Sequence, residues 1–274
     1  GRHQREEVVF GNGLGRTGGD VNDRHVGGQR HPLGQGRVVT AGKDIDQKAQ
    51  LAEPGSLPRC LIGALVPVRQ GQALAFSVSS IGCPGGKRYA GFSRELWPGF
   101  EYFLSAGLPG KIEGERYKKS PRLVREIIKN WPKFEAPGPY LIFKRWDRLD
   151  AEDEPEVVIF FSEPDILAGL FTLANFDEAH PEAVRVPMGS GCSSIITYPY
   201  LEESSERPRS ILGLFDPSAR PYIGQNELSF AVPMKKFKRM IDNMEESFLI
   251  TPTWRKIKKR IDRKSTRLNS SHSQ

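Results

Sequence analysis

Three segments of the chain combine small residues with groups that could bind or react, and each follows an apolar, β-like run. They are Cys83-Pro84-Gly85-Gly86-Lys87-Arg88-Tyr89, Gly189-Ser190-Gly191-Cys192-Ser193-Ser194, and Asp216-Pro217-Ser218-Ala219-Arg220. In α/β proteins ligands gather beyond strand ends, where loop backbone is free to donate hydrogen bonds. The middle segment is the strongest candidate. Gly189 and Gly191 let the backbone turn and approach a ligand, and Ser190, Ser193 and Ser194 add hydroxyls. A helix starting at Cys192 would present free amides to an anion and lower the thiol pKa. Arg220 could clamp a carboxylate or phosphate through two parallel hydrogen bonds. Against this stands the plainer account, a tight turn whose cysteine is a small buried apolar residue.

Cys83 carries the same two readings. It could face Cys192 as a soft-metal ligand, a redox partner or a nucleophile, or it could simply precede a proline turn. No metal is assigned. Two cysteines do not close a four-ligand zinc site, copper(I) or an iron–sulfur cluster needs more thiolates, and His180 sits in a polar loop without ligand-like neighbours. Lys87 and Arg88 could hold an anion or only solvate a surface. The acidic run Asp150-Ala151-Glu152-Asp153-Glu154 has the look of a loop before a strand, and Met234, Met240 and Met244 fall at core-like helical spacing. Gly13, Gly15 and Gly18 match G-x-G-x-x-G. The residues after them, Gly19-Asp20-Val21-Asn22-Asp23, cannot form the helix that the dinucleotide fingerprint requires, so the match is rejected. His3, His25 and His31 lack metal-ligand spacing.

The elements that would position these groups alternate without strict strand–helix order. Strands are expected at Ala73–Ser80, Tyr140–Trp146, Glu156–Phe161, Ala183–Val186, Ile211–Phe215 and Leu228–Val232. Helices are expected at Ser93–Ser105 (divided by Pro98-Gly99), from Ser120-Pro121 to Pro132, over Ile166–Phe176, after Pro233, and from Thr253 onward. The pattern predicts one α/β domain, with α+β as the alternative, built on a mixed sheet flanked by helices. No internal repeat is evident.

Charge narrows the function classes. Of 40 basic and 33 acidic residues, eight and one fall between Arg255 and Arg267, leaving 32 of each elsewhere. A neutral body with a basic tail has no phosphate-tracking face, so nucleic acid is not an expected partner. No apolar run reaches the roughly 18 residues of a membrane span, and no secretory leader stands at the N-terminus. Three scattered cysteines suit a reducing compartment, so a cytoplasmic location is expected. Residues 1–57, which carry 12 of the 28 glycines, are expected to lie outside the fold as a disordered or foreign segment. The domain is expected at 58–262 and a disordered tail at 263–274, where Lys264 to Gln274 resembles translated read-through of a sequencing adapter.

At the three segments, and at Leu228-Ser229-Phe230-Ala231-Val232-Pro233, the chain resembles the uncharacterised prokaryotic ArCR family, from about Arg59 to Ile261. The resemblance implies domain limits and a choice of loops but no reaction. It also implies an additional helix and strand at the front of the family fold, which residues 1–55 do not display, so that a sheet edge would be left bare in a truncated member. The resulting expectation is a small-molecule-binding domain. Its ligand would have an anionic group and meet Gly85, Gly86, Gly189, Ser190, Gly191, Ser193, Ser218 and Arg220, with no cofactor identified and oligomeric state open. The alternative is a cysteine-dependent acyl-transfer or thiol-redox enzyme using Cys192 and Cys83.

Overall fold

A computed structural model describes the backbone of residues 36–42 and 49–270, with side chains over 49–263. The glycine pattern at Gly13–Gly18 and the histidines before residue 32 lie outside the described residues. Eight strands form one mixed sheet: β1 (Gly36–Gly42), β2 (Gln50–Leu51), β3 (Leu74–Phe76), β4 (Tyr140–Arg145), β5 (Val157–Ser162), β6 (Val184–Arg185), β7 (Ser210–Gly213) and β8 (Leu228–Pro233). Their spatial order is β2-β3-β4-β1-β5-β8-β7-β6. The α/β class and the flanking helices are as the sequence pattern predicts.

The front of the chain departs from that pattern. β1 lies at the centre of the sheet, antiparallel to β4 on one side and β5 on the other. Part of the segment placed outside the fold is thus its middle strand, and no bare edge results from a missing one. Val38-Val39-Thr40 is too short a β-branched run to stand out among glycines, and its stability comes from two flanking ladders, not from propensity. β2 also falls in that segment, paired in parallel with β3.

The sheet repeats itself about an axis between β1 and β5. In each half a short edge strand pairs in parallel with the next (β2 with β3, β6 with β7), and the remaining pairs are antiparallel. The registers correspond. Gly42 faces Tyr140 as Ser162 faces Leu228, and Leu74 faces Phe143 as Ile211 faces Ala231. Because β1 and β5 are antiparallel neighbours, the axis is a pseudo-twofold through the sheet. The sequence carries the same repeat. Cys60 and Pro67 match Cys192 and Pro199 in spacing, and Pro84-Gly85-Gly86-Lys87-Arg88-Tyr89-Ala90-Gly91 aligns with Pro217-Ser218-Ala219-Arg220-Pro221-Tyr222-Ile223-Gly224. This corrects the expectation of no internal repeat, which the low identity of the two copies concealed.

One face of the sheet is covered by the connections that carry the repeat. In the first half these are α1 (Leu61–Ala64) and α2 (Val66–Arg69), then α3 (Pro84–Tyr89). After α4 (Phe100–Phe103) and α5 (Pro121–Asn130) the chain enters β4. Only one turn of the helix expected over 93–105 forms, because Gly99 takes a left-handed conformation at its start. Ser120 caps α5 as expected, accepting from the Leu123 amide at 3.4 Å. In the second half the covering helix begins at Gly191, is π-wound over Ser193–Thr197, and ends as α7 (Tyr198–Glu203). Phe76, Phe143, Ile159 and Ile211 of the sheet pack beneath these helices, in one core cluster with Ile195 of the π-wound stretch.

The opposite face of the second half carries α6 (Pro164–Asn175), α8 (Met234–Asp242) and α9 (Pro252–Ser270) over Val158, Phe160, Phe230 and Val232. Met234 and Met240 are core residues there, as expected. Trp254 anchors α9 in a notch that only glycine leaves open, since a Cβ at Gly169 would stand 2.3 Å from its ring. The helix continues to Ser270, past the point where the tail was expected to begin. Lys256, Lys259 and Arg263 on it are solvent-exposed. The acidic run before β5 supplies counter-ions for Lys144, which is 2% exposed and donates at 2.8 Å to both Asp153 carboxylate oxygens.

Candidate functional site

Two pairs of equivalent positions meet near the pseudo-twofold axis. Cys60 precedes α1, and Cys192 is the second residue of the helical run that starts at Gly191. Cys83 is the N-cap of α3, directly before Pro84, and Asp216 stands before Pro217 in the equivalent turn. The Cys192 thiol is within electrostatic reach of Cys60, Cys83 and Asp216, and that of Cys60 within reach of Cys83 and Asp216. Four segments remote in sequence therefore share one neighbourhood, although among the described residues no three His, Cys, Asp or Glu side chains are placed to hold a metal ion.

The turns also cross between halves. Tyr89, at the end of α3, faces the Ser190 side chain of the second half, and its carbonyl accepts from Thr197 Oγ1 at 2.7 Å. Its counterpart Tyr222 covers α1, where a Cβ on Gly63 would stand 2.8 Å from the ring. Tyr89 against Ser190, and Gly191 against Asp216 and Ala219, bring the three segments singled out from the sequence to one place. The first is not a loop but mostly helix, and the second is a helix start.

The local hydrogen bonds define what each group can do. Ser190 caps its helix: Ser193 N donates to Ser190 Oγ at 3.3 Å, Ser193 Oγ to Ser190 O at 2.7 Å, and Ser194 Oγ to Gly191 O at 2.8 Å. Hydroxyls and amides expected to meet a ligand are thus partly used in building the turn. Gly213 lets that helix lie directly on β7, since a Cβ there would come within 2.2 Å of Ser194. Gly213→Ala is accordingly expected to destabilise the fold by about 1–3 kcal/mol through overpacking, read from the urea midpoint at unchanged slope.

Arg220 is tied into its own turn. Its guanidinium donates to the backbone carbonyls of Glu227, Gly224 and Gln225, the last at 2.5 Å, and so fastens the 220–227 turn. Ser218 is exposed; its amide donates to Tyr117 Oη at 3.3 Å and its hydroxyl contacts Asp216 Oδ2 at 3.2 Å. Cys83 Sγ accepts from Gly86 N at 3.4 Å, capping α3 from a half-buried side chain flanked by Gly82, Gly85 and Gly86.

Electrostatically the site is acid among acids. Burial raises the Cys192 thiol well above its ordinary value, and Cys60, Cys83 and Asp216 raise it further. Burial likewise raises Cys60, although the Gly63 and Ile62 amides pull the other way. The lowered Cys192 pKa expected from a helix start is therefore reversed, since desolvation outweighs the helix terminus here. Burial also raises the Asp216 carboxyl, against weaker opposing pulls from the Ser218 hydroxyl, the Asp216 and Gly191 amides and the Arg220 charge. Its Oδ1 atom is sealed from solvent over Gly191. Cys60 and Asp216 were not among the sequence-derived site residues; the matched Cys-to-Pro spacing and the aligned proline turns are the signals that mark them.

Fold and site together define an internally duplicated α/β domain with a thiol- and carboxyl-lined centre between its halves. The model of the uncharacterised ArCR family matches residues 25–243, and the chain belongs to that family. The match starts ahead of β1, well before the Arg59 limit inferred from the sequence. No curated protein and no solved structure was found to match the chain. Among the described residues no helix is long and apolar enough to cross a membrane.

Proposed function

We propose that this domain binds a small molecule at its pseudo-twofold axis, between the Cys83 turn, the Gly191 helix start and the Asp216 turn. The observation that carries the reading is the convergence of the Gly191 helix start on the Asp216 turn, where a buried carboxyl lies within electrostatic reach of the Cys192 and Cys60 thiols. The anionic ligand expected from the sequence fits poorly, because Arg220 is committed to backbone carbonyls and the groups facing the centre are acids. A neutral or cationic ligand suits them better.

Native mass spectrometry of the chain purified under reducing conditions tests this reading. A non-covalent adduct on the intact chain, lost from Asp216→Asn, is the expected result. No adduct, or one retained by that variant and by Gly191→Leu, would count against it.

The cysteine-dependent enzyme is the less favoured reading. Burial pushes the Cys192 thiol well above its ordinary value, which disfavours the thiolate that a nucleophile needs. In alkylation with iodoacetamide at pH 7, Cys83 is expected to react first and Cys192 only as the protein unfolds. Labelling of Cys192 in the folded chain as fast as Cys83 would reverse the order of the two readings.

A further inference from the structure

The excess positive charge of the chain is gathered on one anchored element. Outside residues 255–267 basic and acidic side chains balance, so α9 carries the surplus. Its inner side fixes how it lies: Trp254 is buried against Gly169, Ile257 packs on the same core, and Arg260 pairs with Asp165. Residues three and four apart share a helix face, and on the outer one Arg255, Lys256, Lys259 and Arg263 are all exposed. Asp262, also exposed, is the one acid between Arg255 and Arg267. Ile250, in the turn just ahead of α9, is 52% exposed, and its carbonyl accepts from the Arg255 guanidinium at 3.1 Å. An apolar side chain therefore stands beside the basic row.

We propose that this face docks the protein on an anionic lipid surface, with α9 lying along the membrane plane and Ile250 entering the headgroup boundary. A helix face that is merely solvated ordinarily mixes the two signs, whereas this one sets four cations against a single acid. The partner must bring the opposite charge. Ile250 decides which partner. A nucleic-acid backbone is held by charge and hydrogen bonds, to which an exposed aliphatic side chain adds nothing. At a bilayer the same side chain gains a foothold below the headgroups, next to basic residues drawn to their negative charge. The attraction fades beyond a Debye length, so the association is peripheral, reversible and sensitive to salt.

The test is flotation of the full chain with vesicles of phosphatidylglycerol and phosphatidylcholine in equal parts, and with phosphatidylcholine alone. Binding to the first at low salt, its loss at high salt, and none to the second are expected. Lys256→Gln/Lys259→Gln/Arg263→Gln should weaken binding on the order of 100-fold, with circular dichroism and Tm unchanged because all three side chains are exposed. Ile250→Ser should weaken it roughly several-fold and leave any binding of a short duplex DNA as it was. No binding to the anionic vesicles, equal binding to both kinds, or binding untouched by the triple variant overturns the proposal. Duplex DNA bound more tightly than the vesicles, or vesicle binding indifferent to Ile250→Ser, also overturns it and makes the face a general polyanion site. The adduct tested with Asp216→Asn is read separately and is unaffected by either result.

Discussion

A chain lacking residues 36–42 is expected to lose its cooperative fold, giving insoluble or molten protein without near-ultraviolet dichroism. β1 is the partner of both β4 and β5, and without it the sheet separates into β2-β3-β4 and β5-β8-β7-β6. Each half would then show a newly bare strand whose side chains are otherwise buried: Leu141, Ile142 and Phe143 on β4, and Val157, Val158, Ile159 and Phe160 on β5. Exposed apolar edges of this kind seed aggregation. The total stability of a domain is about 5–15 kcal/mol, and loss of the central strand should exceed it. A deletion variant that melts sharply within a few degrees of the parent would mean that β1 is not the middle of the sheet.

Glu178→Ala is expected to lower stability by about 3–5 kcal/mol, the usual cost of stranding a buried charge. By the entropy scaling for a domain of this size, that is a fall of roughly 6–20 °C in Tm. Lys236 is 1% exposed and donates to Glu178 at 3.0 Å, and Arg239 converges on the same carboxylate at 2.5 Å. Burial alone would raise the Glu178 carboxyl, but the Lys236 and Arg239 hydrogen bonds outweigh it and hold it below its ordinary value. Burial pulls Lys236 down. Replacing the lysine as well, in Glu178→Ala/Lys236→Met, removes the stranded charge and is expected to recover most of the loss. A double variant no more stable than Glu178→Ala would contradict the assignment. Glu202, held by Arg185 and Arg209, is likewise lowered. Both carboxylates titrate lower folded than unfolded. Their stabilisation is therefore complete above the unfolded range near ~4.3 and is lost as pH falls through the folded values. Urea midpoints across that window should drop in the parent and drop less in Glu178→Ala.

The strands that the sequence revealed are those whose signal is local. Val157–Phe161 and Leu228–Val232 are continuous apolar runs, and Ser120-Pro121 announces its helix by capping chemistry. β1 and β2 were illegible because partners far along the chain, not their own residues, make them strands. The helix over 61–69 was obscured by Pro67, which sits within the first turn of α2. At the site, the three segments were found from their small residues. The backbone partners of Arg220 were not legible because the carbonyls it secures lie in a turn of no distinctive composition. The thiol shift was misjudged because sequence shows a helix start but not the desolvation above it. The repeat itself was present in the spacing of Cys60 and Pro67 against Cys192 and Pro199, and of Pro84 and Tyr89 against Pro217 and Tyr222, and only the sheet registers made it plain.

Two identical subunits meeting on a dyad must offer a guest the same groups twice, and so cannot tell its front from its back. Here both copies belong to one polypeptide and have drifted apart, sulfur at position 83 and carboxylate at 216. Such a centre has polarity. A guest bound there as proposed would meet unlike groups on its two sides, a discrimination that two identical copies could not make.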